Sequence, residues 1–116
     1  MDDDETILEM ASAMISSLGY QVDIAHNGDE AIELYKKAQV EKKPYKAVVL
    51  DLTIPGGMGG KKTIVALREI DSNIKAIVSS GYANDPVISD YKKYGFSKAV
   101  QKPYRIEQMA KALYLL

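Results

Sequence analysis

The chain has no cysteine and no tryptophan, and it carries one phenylalanine and one histidine among 116 residues. Without cysteine there is neither a disulfide nor a thiolate metal site. That fits a reducing compartment, and the cytoplasm is the expected location. No apolar run approaches the roughly 18 residues of a membrane span, so direct membrane contact is not expected. The acidic start, MDDDE, is the reverse of the basic end of a signal peptide. Neither sign of charge dominates: the formal net charge is −1, which leaves no broad basic surface for nucleic acid. Repeats and low-complexity tracts are also missing.

What is present is an ordinary globular composition, 47% apolar, in a length that suits one domain over residues 1–116. Ile7, Leu8, Ala11, Met14, Ile15 and Leu18 recur at helical spacing, with Thr6 as a cap and Gly19 as a stop. YQVDIA reads as a short strand, and Asn27-Gly28 separates it from a second helix through Ala31, Ile32, Tyr35 and Ala38. Lys46 to Leu52 is apolar and β-branched, broken only by Asp51, as suits a strand covered on both faces. Ile64, Leu67 and Ile70 mark a third helix, and IKAIVSS a second buried strand. Asp85-Pro86 opens a fourth helix that ends near Gly95. KAVQ is a last strand, and Ile106, Met109, Ala110 and Leu113 outline a last helix. Strands alternating with helices predict an α/β sandwich around a parallel sheet, with right-handed crossovers placing helices on both faces.

In such a sheet the site lies beyond the carboxyl ends of the strands. Asp51 stands at one end, Ser79-Ser80-Gly81 at the next and Lys102-Pro103 at the third. Asp2, Asp3 and Asp4 precede the first helix. The glycines of VVLDLTIPGGMGGKKT invite comparison with a phosphate-binding loop. That pattern needs a glycine where Pro55 stands and a hydroxyl where Lys62 stands, so it fails twice. The glycines instead suit a turn after the strand. Asp4 and Glu5 suit a helix start, where acids complement the dipole. Asp2 and Asp3 brought beside Asp51 would repel it unless a hard divalent cation relieved the charge, and all-oxygen ligation suits Mg2+. Asp51 is then placed to act as a nucleophile toward phosphorus, with Ser80 and Lys102 disposed toward phosphoryl oxygens.

These pieces together (Asp2-Asp3 before the first helix, VVLDLTIPGGMGG, SSGY and KPY) resemble the receiver domain of two-component response regulators over nearly the whole chain. The wording VSSGYAND…GF…KPY further resembles receivers attached to hybrid histidine kinases. The resemblance implies a doubly wound, flavodoxin-like three-layer sandwich with a five-stranded parallel sheet in the order 2-1-3-4-5. It implies Asp51 as phosphoacceptor, with Ser80 and Lys102 as its catalytic partners. Asp3, Asp51 and the backbone carbonyl of Thr53 would ligate Mg2+ directly, and Asp2 mainly through water. Thr53 and Tyr82 would tune the lifetime of the phosphoryl group, and the Lys102–Pro103 bond would be cis. The implied partner is a histidine kinase or histidine phosphotransfer domain, with a homodimer as a possible assembly. The chain would catalyse its own phosphorylation and dephosphorylation and no separate reaction.

The sequence departs from that pattern twice. The family carries an apolar strand immediately before the acid pair, whereas only Met1 precedes it here, so the first strand is expected to be truncated. A sheet without it is not expected to fold alone as a monomer. The family also often carries an aromatic residue where Ala99 stands. Signal coupling would then rest on the backbone after Ser80-Gly81, or on Tyr82 or Tyr104 as a substitute ring. His26 lies in a polar turn and reads as exposed and idle. Two alternatives use the same residue types: a haloacid-dehalogenase-like phosphatase, which would need a second acid where Thr53 stands, and a receiver-like adaptor that is not phosphorylated.

Overall fold

The computed structural model of the chain describes residues 1–82 and 84–116; Ala83, within the SSGYAND segment, lies outside the described residues. Helix α1 spans Glu5–Ser17. Its cap is Asp4, whose carboxylate accepts from the Thr6 and Ile7 N–H groups at 2.9 and 3.3 Å. Thr6, expected as the cap, sits inside the first turn instead. An aspartate at the preceding position satisfies two orphan donors and adds negative charge at the positive end of the dipole. Helix α2, Gly28–Val40, is capped by Asn27 in the same way, with Asp29 and Glu30 in its first turn.

Strands β1 (Val48–Asp51), β2 (Ala76–Ser80) and β3 (Lys98–Gln101) form one parallel sheet in the order β1-β2-β3. The register pairs Asp51 with Ser79, and Ser79 with Val100. Helix α3 covers Gly60–Ile70 and α5 covers Ile106–Tyr114. The fourth helix is broken. A single turn α4, Pro86–Ser89, stops at Asp90, and a 3-10 turn runs over Tyr91–Tyr94 to Gly95 at φ 97°. A Pro start, a four-residue length and a left-handed glycine stop leave too few hydrogen bonds to propagate one continuous helix.

Period-two alternation along the sheet divides the core into two layers. Ala76 and Val78 face Tyr35, Ile64, Leu67 and Val87, so α2, α3 and α4 cover one side. Ile77 faces Met109 and Leu113 of α5, and Ile7, Ala11 and Ile15 of α1 pack beside them. Leu50, Ile64, Leu67, Ile77 and Met109 are fully buried, each stabilising by roughly 1.5–3 kcal/mol. The result is the three-layer α/β arrangement with a parallel central sheet.

The number of strands differs from the expected five: the described residues contain three. YQVDIA is not a strand in the described residues, because a strand exists only through a run of bonds to a neighbour. Met1 and Asp2 supply a short bridge in the gap between it and β1. The Met1 ammonium donates to the Val49 carbonyl at 2.7 Å, the Asp51 N–H to the Met1 carbonyl at 3.0 Å, and the Asp2 N–H to the Ala25 carbonyl at 3.0 Å. Behind this bridge lies an apolar cavity of about 160 Å3, lined by Ile7, Ala11, Ile15, Val22, Val49 and Leu113 among others. Where the first strand is expected, the described residues place the two-residue bridge of Met1 and Asp2.

The glycines after β1 have a steric role. A Cβ at Gly59 would collide with the Leu52 carbonyl, and one at Gly60 would sit 2.9 Å from the Asp51 carbonyl. The loop therefore folds back onto the strand end that carries Asp51, and only glycine allows so close an approach. Gly60→Ala should destabilise the fold by about 1–3 kcal/mol, despite alanine's better helix propensity. Gly81→Ala, where an added Cβ meets no atom within 4 Å, should change it by less than about 0.5 kcal/mol. Thermal midpoints of the two variants check the contrast.

Candidate functional site

Three loops meet at the carboxyl edge of the sheet. Asp51 is the last residue of β1, and its side chain lies on the α1/α5 side of the sheet by alternation from Val49. It is only 4% exposed. Asp2, 2% exposed, reaches the same place from the N-terminal bridge, where its Oδ1 also accepts from the Asp4 N–H at 3.0 Å. Asp3 is exposed at the rim. One carboxylate oxygen from each of Asp2, Asp3 and Asp51 lies within 4.8 Å of the others. From the loop after β3, the Lys102 ammonium stands 2.6 Å from Asp2 Oδ2 and 3.1 Å from Asp51 Oδ1. The expected acid triad and lysine are therefore brought together, and the Lys102–Pro103 peptide is cis.

The electrostatics follow from this crowding. Burial pushes the Asp51 carboxyl above its usual range; the Lys102 ammonium offsets part of that, and the Asp2 charge adds to it. For Lys102, burial opposes the charge, but Asp2 and Asp51 outweigh it and hold the ammonium pKa above its ordinary value. Among the described residues, buried Asp2 Oδ2 has no hydrogen-bond partner beyond Lys102. One lysine facing three carboxylates leaves excess negative charge and an unsatisfied oxygen lone pair. An all-oxygen donor set of this kind fits a hard divalent cation such as Mg2+.

The remaining expected residues are spread around this centre. Ser80 is buried at the end of β2, and its hydroxyl accepts from the Tyr82 N–H at 3.1 Å. Its carbonyl accepts from the Lys102 N–H at 2.9 Å, which ties the two loops by backbone. Thr53 is exposed, with its N–H 3.5 Å from Asp51 Oδ1. The Tyr82 ring is 74% exposed. Ala99 is half-buried in β3, where its methyl group gives the sheet no ring.

Two features were not read from the sequence. Tyr104 is buried, and its hydroxyl lies 2.5 Å from Ser79 Oγ. A tyrosine two places after Lys102 and a serine just before Ser80 were the available signals, but their meeting depends on the register of β2 and β3. His26, expected to be idle, is clasped instead. Its Nε2 lies 2.6 Å from Glu5 Oε1 and its Nδ1 3.0 Å from Glu30 Oε1. The imidazole joins the start of α1 to the first turn of α2, beside the acid cluster.

Glu30 and Glu5 hold the His26 pKa above 6.5. Protonation therefore favours the folded state. The contribution is complete below the unfolded value, about pH 6.5, and is lost as pH rises through the higher folded value. Burial pushes the Met1 ammonium down to about 6, which acts in the opposite sense, so the comparison must be with a variant. Lowering the pH from about 8 to about 6 should raise the thermal midpoint of the wild type relative to His26→Gln. Parallel pH profiles for the two proteins would show that the clasp contributes nothing.

Comparison with known proteins gives a consistent picture. The family model of the response regulator receiver domain matches residues 1–114. The chemotaxis protein CheY of Thermotoga maritima is 33% identical over 114 residues, covering 97% of this chain and 90% of that protein. Sporulation initiation phosphotransferase F of Bacillus subtilis is 28% identical over 113 residues, covering 97% and 86%. Sensor kinase CckA of Brucella abortus is 30% identical over 113 residues, which cover 95% of this chain and 11% of that protein. Among solved structures, a chain of the CheX–CheY–BeF3–Mg2+ complex of Borrelia burgdorferi superimposes with a TM-score of 0.84 at 24% identity, covering 97% of this chain and 81% of that one. The receiver domain of a sensor histidine kinase of Pseudomonas aeruginosa, described with a magnesium ion coordinated in its active-site cleft, gives 0.80 at 20% identity, covering 97% and 89%. No described helix is long and apolar enough to cross a membrane.

Proposed function

The chain belongs to the response regulator receiver family, and from that premise we propose that residues 1–116 act as one receiver whose phosphoacceptor is Asp51. The domain is a phosphoacceptor signalling module of a two-component phosphorelay. The phosphatase and unphosphorylated-adaptor readings are not favoured. The observation that carries the assignment of Asp51 is its position: a buried carboxylate at a strand end, 3.1 Å from Lys102, with Asp2 and Asp3 oxygens within 4.8 Å. The phosphatase alternative also lacks its second acid, since Thr53 occupies that place and is exposed.

The phosphodonor is a phosphohistidine on a histidine kinase or phosphotransfer protein. A carboxylate oxygen of Asp51 forms the new O–P bond while the P–N bond breaks, and the electron pair leaves with the imidazole nitrogen. Hydrolysis later returns inorganic phosphate and the free carboxylate. Asp2, Asp3, Asp51 and the Thr53 carbonyl would hold Mg2+, which when bound screens the charge of the phosphoryl oxygens. Lys102 is placed to neutralise a phosphoryl oxygen, and the Ser80 hydroxyl to donate to another after releasing the Tyr82 N–H. Thr53 and Tyr82, both exposed at the mouth of the site, stand where they can limit the approach of water to the acyl phosphate. With a donor of this kind the chain would work in the cytoplasm.

Labelling with acetyl phosphate tests the assignment. Wild type should acquire a hydroxylamine-sensitive, acid-labile phosphoryl group, and should acquire none when Mg2+ is chelated before the acetyl phosphate is added. Asp51→Asn should abolish it, and equal labelling of that variant would sink the assignment. Lys102→Ala should lower the labelling rate by at least about tenfold while leaving Mg2+ binding largely intact.

A further inference from the structure

We propose that Tyr104 is a positioning residue of the phosphoacceptor site, acting through the hydrogen bond between its hydroxyl and that of Ser79; the proposal rests on Asp51 being the phosphoacceptor.

Ser79 occupies a particular place. Its backbone is registered opposite Asp51 on one side and Val100 on the other. Its carbonyl accepts from the Leu52 N–H at 2.8 Å, which begins the loop after Asp51. It directly precedes Ser80. By alternation with Ile77 its side chain faces the α5 layer, and there it meets Tyr104. Ser79 is fully buried and Tyr104 8% exposed, so neither hydroxyl has ready access to water. A buried hydroxyl left unpaired keeps its full desolvation penalty, which makes the pairing of these two a strong local constraint.

The consequence reaches Lys102. The segment Lys102-Pro103-Tyr104 is fastened at both ends to consecutive residues of β2. The Lys102 N–H donates to the Ser80 carbonyl at 2.9 Å, and the Tyr104 hydroxyl bonds Ser79 Oγ at 2.5 Å. A three-residue segment held at both ends leaves the lysine little freedom at its Cα. The long side chain then reaches Asp2 and Asp51 from a fixed origin. The same bond holds the strand residue from which Ser80 projects. One hydroxyl pair thus braces Lys102, Ser80 and Asp51 from beneath, without touching a phosphoryl group. Displacements well under 1 Å at such groups are enough to change rates severalfold.

The test is Tyr104→Phe, which keeps the ring and its packing and removes only the hydroxyl. With Mg2+ saturating, its first-order labelling rate from acetyl phosphate should fall about five- to tenfold, with Mg2+ affinity changed less than about twofold. Ser79→Ala should show the same loss, and the double variant no further loss, since both remove one bond. Ser79→Thr, which keeps a hydroxyl, should restore most of the rate. A purely structural role would lower the thermal midpoint of each variant yet leave the rate per folded molecule unchanged. Labelling of Tyr104→Phe at the wild-type rate, or losses that multiply in the double variant, would overturn the proposal. Amide shifts of Ser80 and Lys102 provide a readout that needs no phosphate. They should move in Tyr104→Phe more than those of Val48 and Val49, and unchanged shifts would overturn it. If wild type itself is not labelled while these shifts move, the assignment of Asp51 fails and the bracing by Tyr104 stands.

Discussion

The ammonium of Lys102 lies between two nearly buried carboxylates, and the rest of the carboxyl edge is arranged to keep it there. Lys102 is 17% exposed at its side chain and Asp2 only 3%, so the contact sits largely out of water. Charges in such a place are stable only when paired, because removing one partner leaves the others uncompensated. Asp2, Asp51 and Lys102 come from three separate stretches of chain. Their meeting therefore depends on the parallel register of β1, β2 and β3 and on the short bridge that Met1 and Asp2 make against Val49, Asp51 and Ala25. A slip in any of these would separate the charges and strand a buried carboxylate.

The cluster is also unbalanced. One lysine faces three acids, Asp51 is pushed toward protonation by burial, and among the described residues Asp2 Oδ2 has no partner other than Lys102. A site built only for stability would not keep that excess. The imbalance favours any ligand that brings positive charge into the rim, and a divalent cation does so with hard oxygen ligands already at hand. The surrounding scaffold absorbs the cost in other ways: glycines 59 and 60 let the backbone close over the end of β1, and the Glu5–His26–Glu30 clasp ties α1 to α2 next to the acids.

Much of this was legible in the sequence because it is local or periodic. Strands β1 and β2 stand out as apolar, β-branched runs and β3 as the short KAVQ, and the residues at or just past their ends (Asp51, Ser80, Lys102) follow from the rule that a parallel sheet presents its site at one edge. The two-layer core follows from the spacing of Ile64, Leu67, Met109 and Leu113. What was not legible depends on contacts between distant residues. YQVDIA has the composition of a strand, but strand formation needs a neighbour, and Met1-Asp2 offers only a short one. His26 meets Glu5 across 21 residues, and Tyr104 meets Ser79 across 25. Neither spacing carries a period. The cap at Asp4 is local, yet it turns on whether Asp4 or Thr6 closes the first turn, and composition does not resolve that.

The same contacts bear on how a change at Asp51 can travel. A two-state element responds only to the difference in contacts between its states. Ala99 has no side chain that can swing, so it offers almost no difference. The Tyr104 ring is already buried, and moving it would break its bond to Ser79 and leave a buried hydroxyl unpaired, a cost of about 1–3 kcal/mol. Tyr82 is in the opposite position. Its ring is exposed and has little buried contact to lose, while its N–H is bonded to Ser80 Oγ. Drawing the Ser80 hydroxyl toward a phosphoryl oxygen would break that bond and free the backbone that carries the ring. Of the three candidates, only Tyr82 can gain contacts without first giving up buried ones, so the loop after Ser80 is where the energy difference between the two states is available.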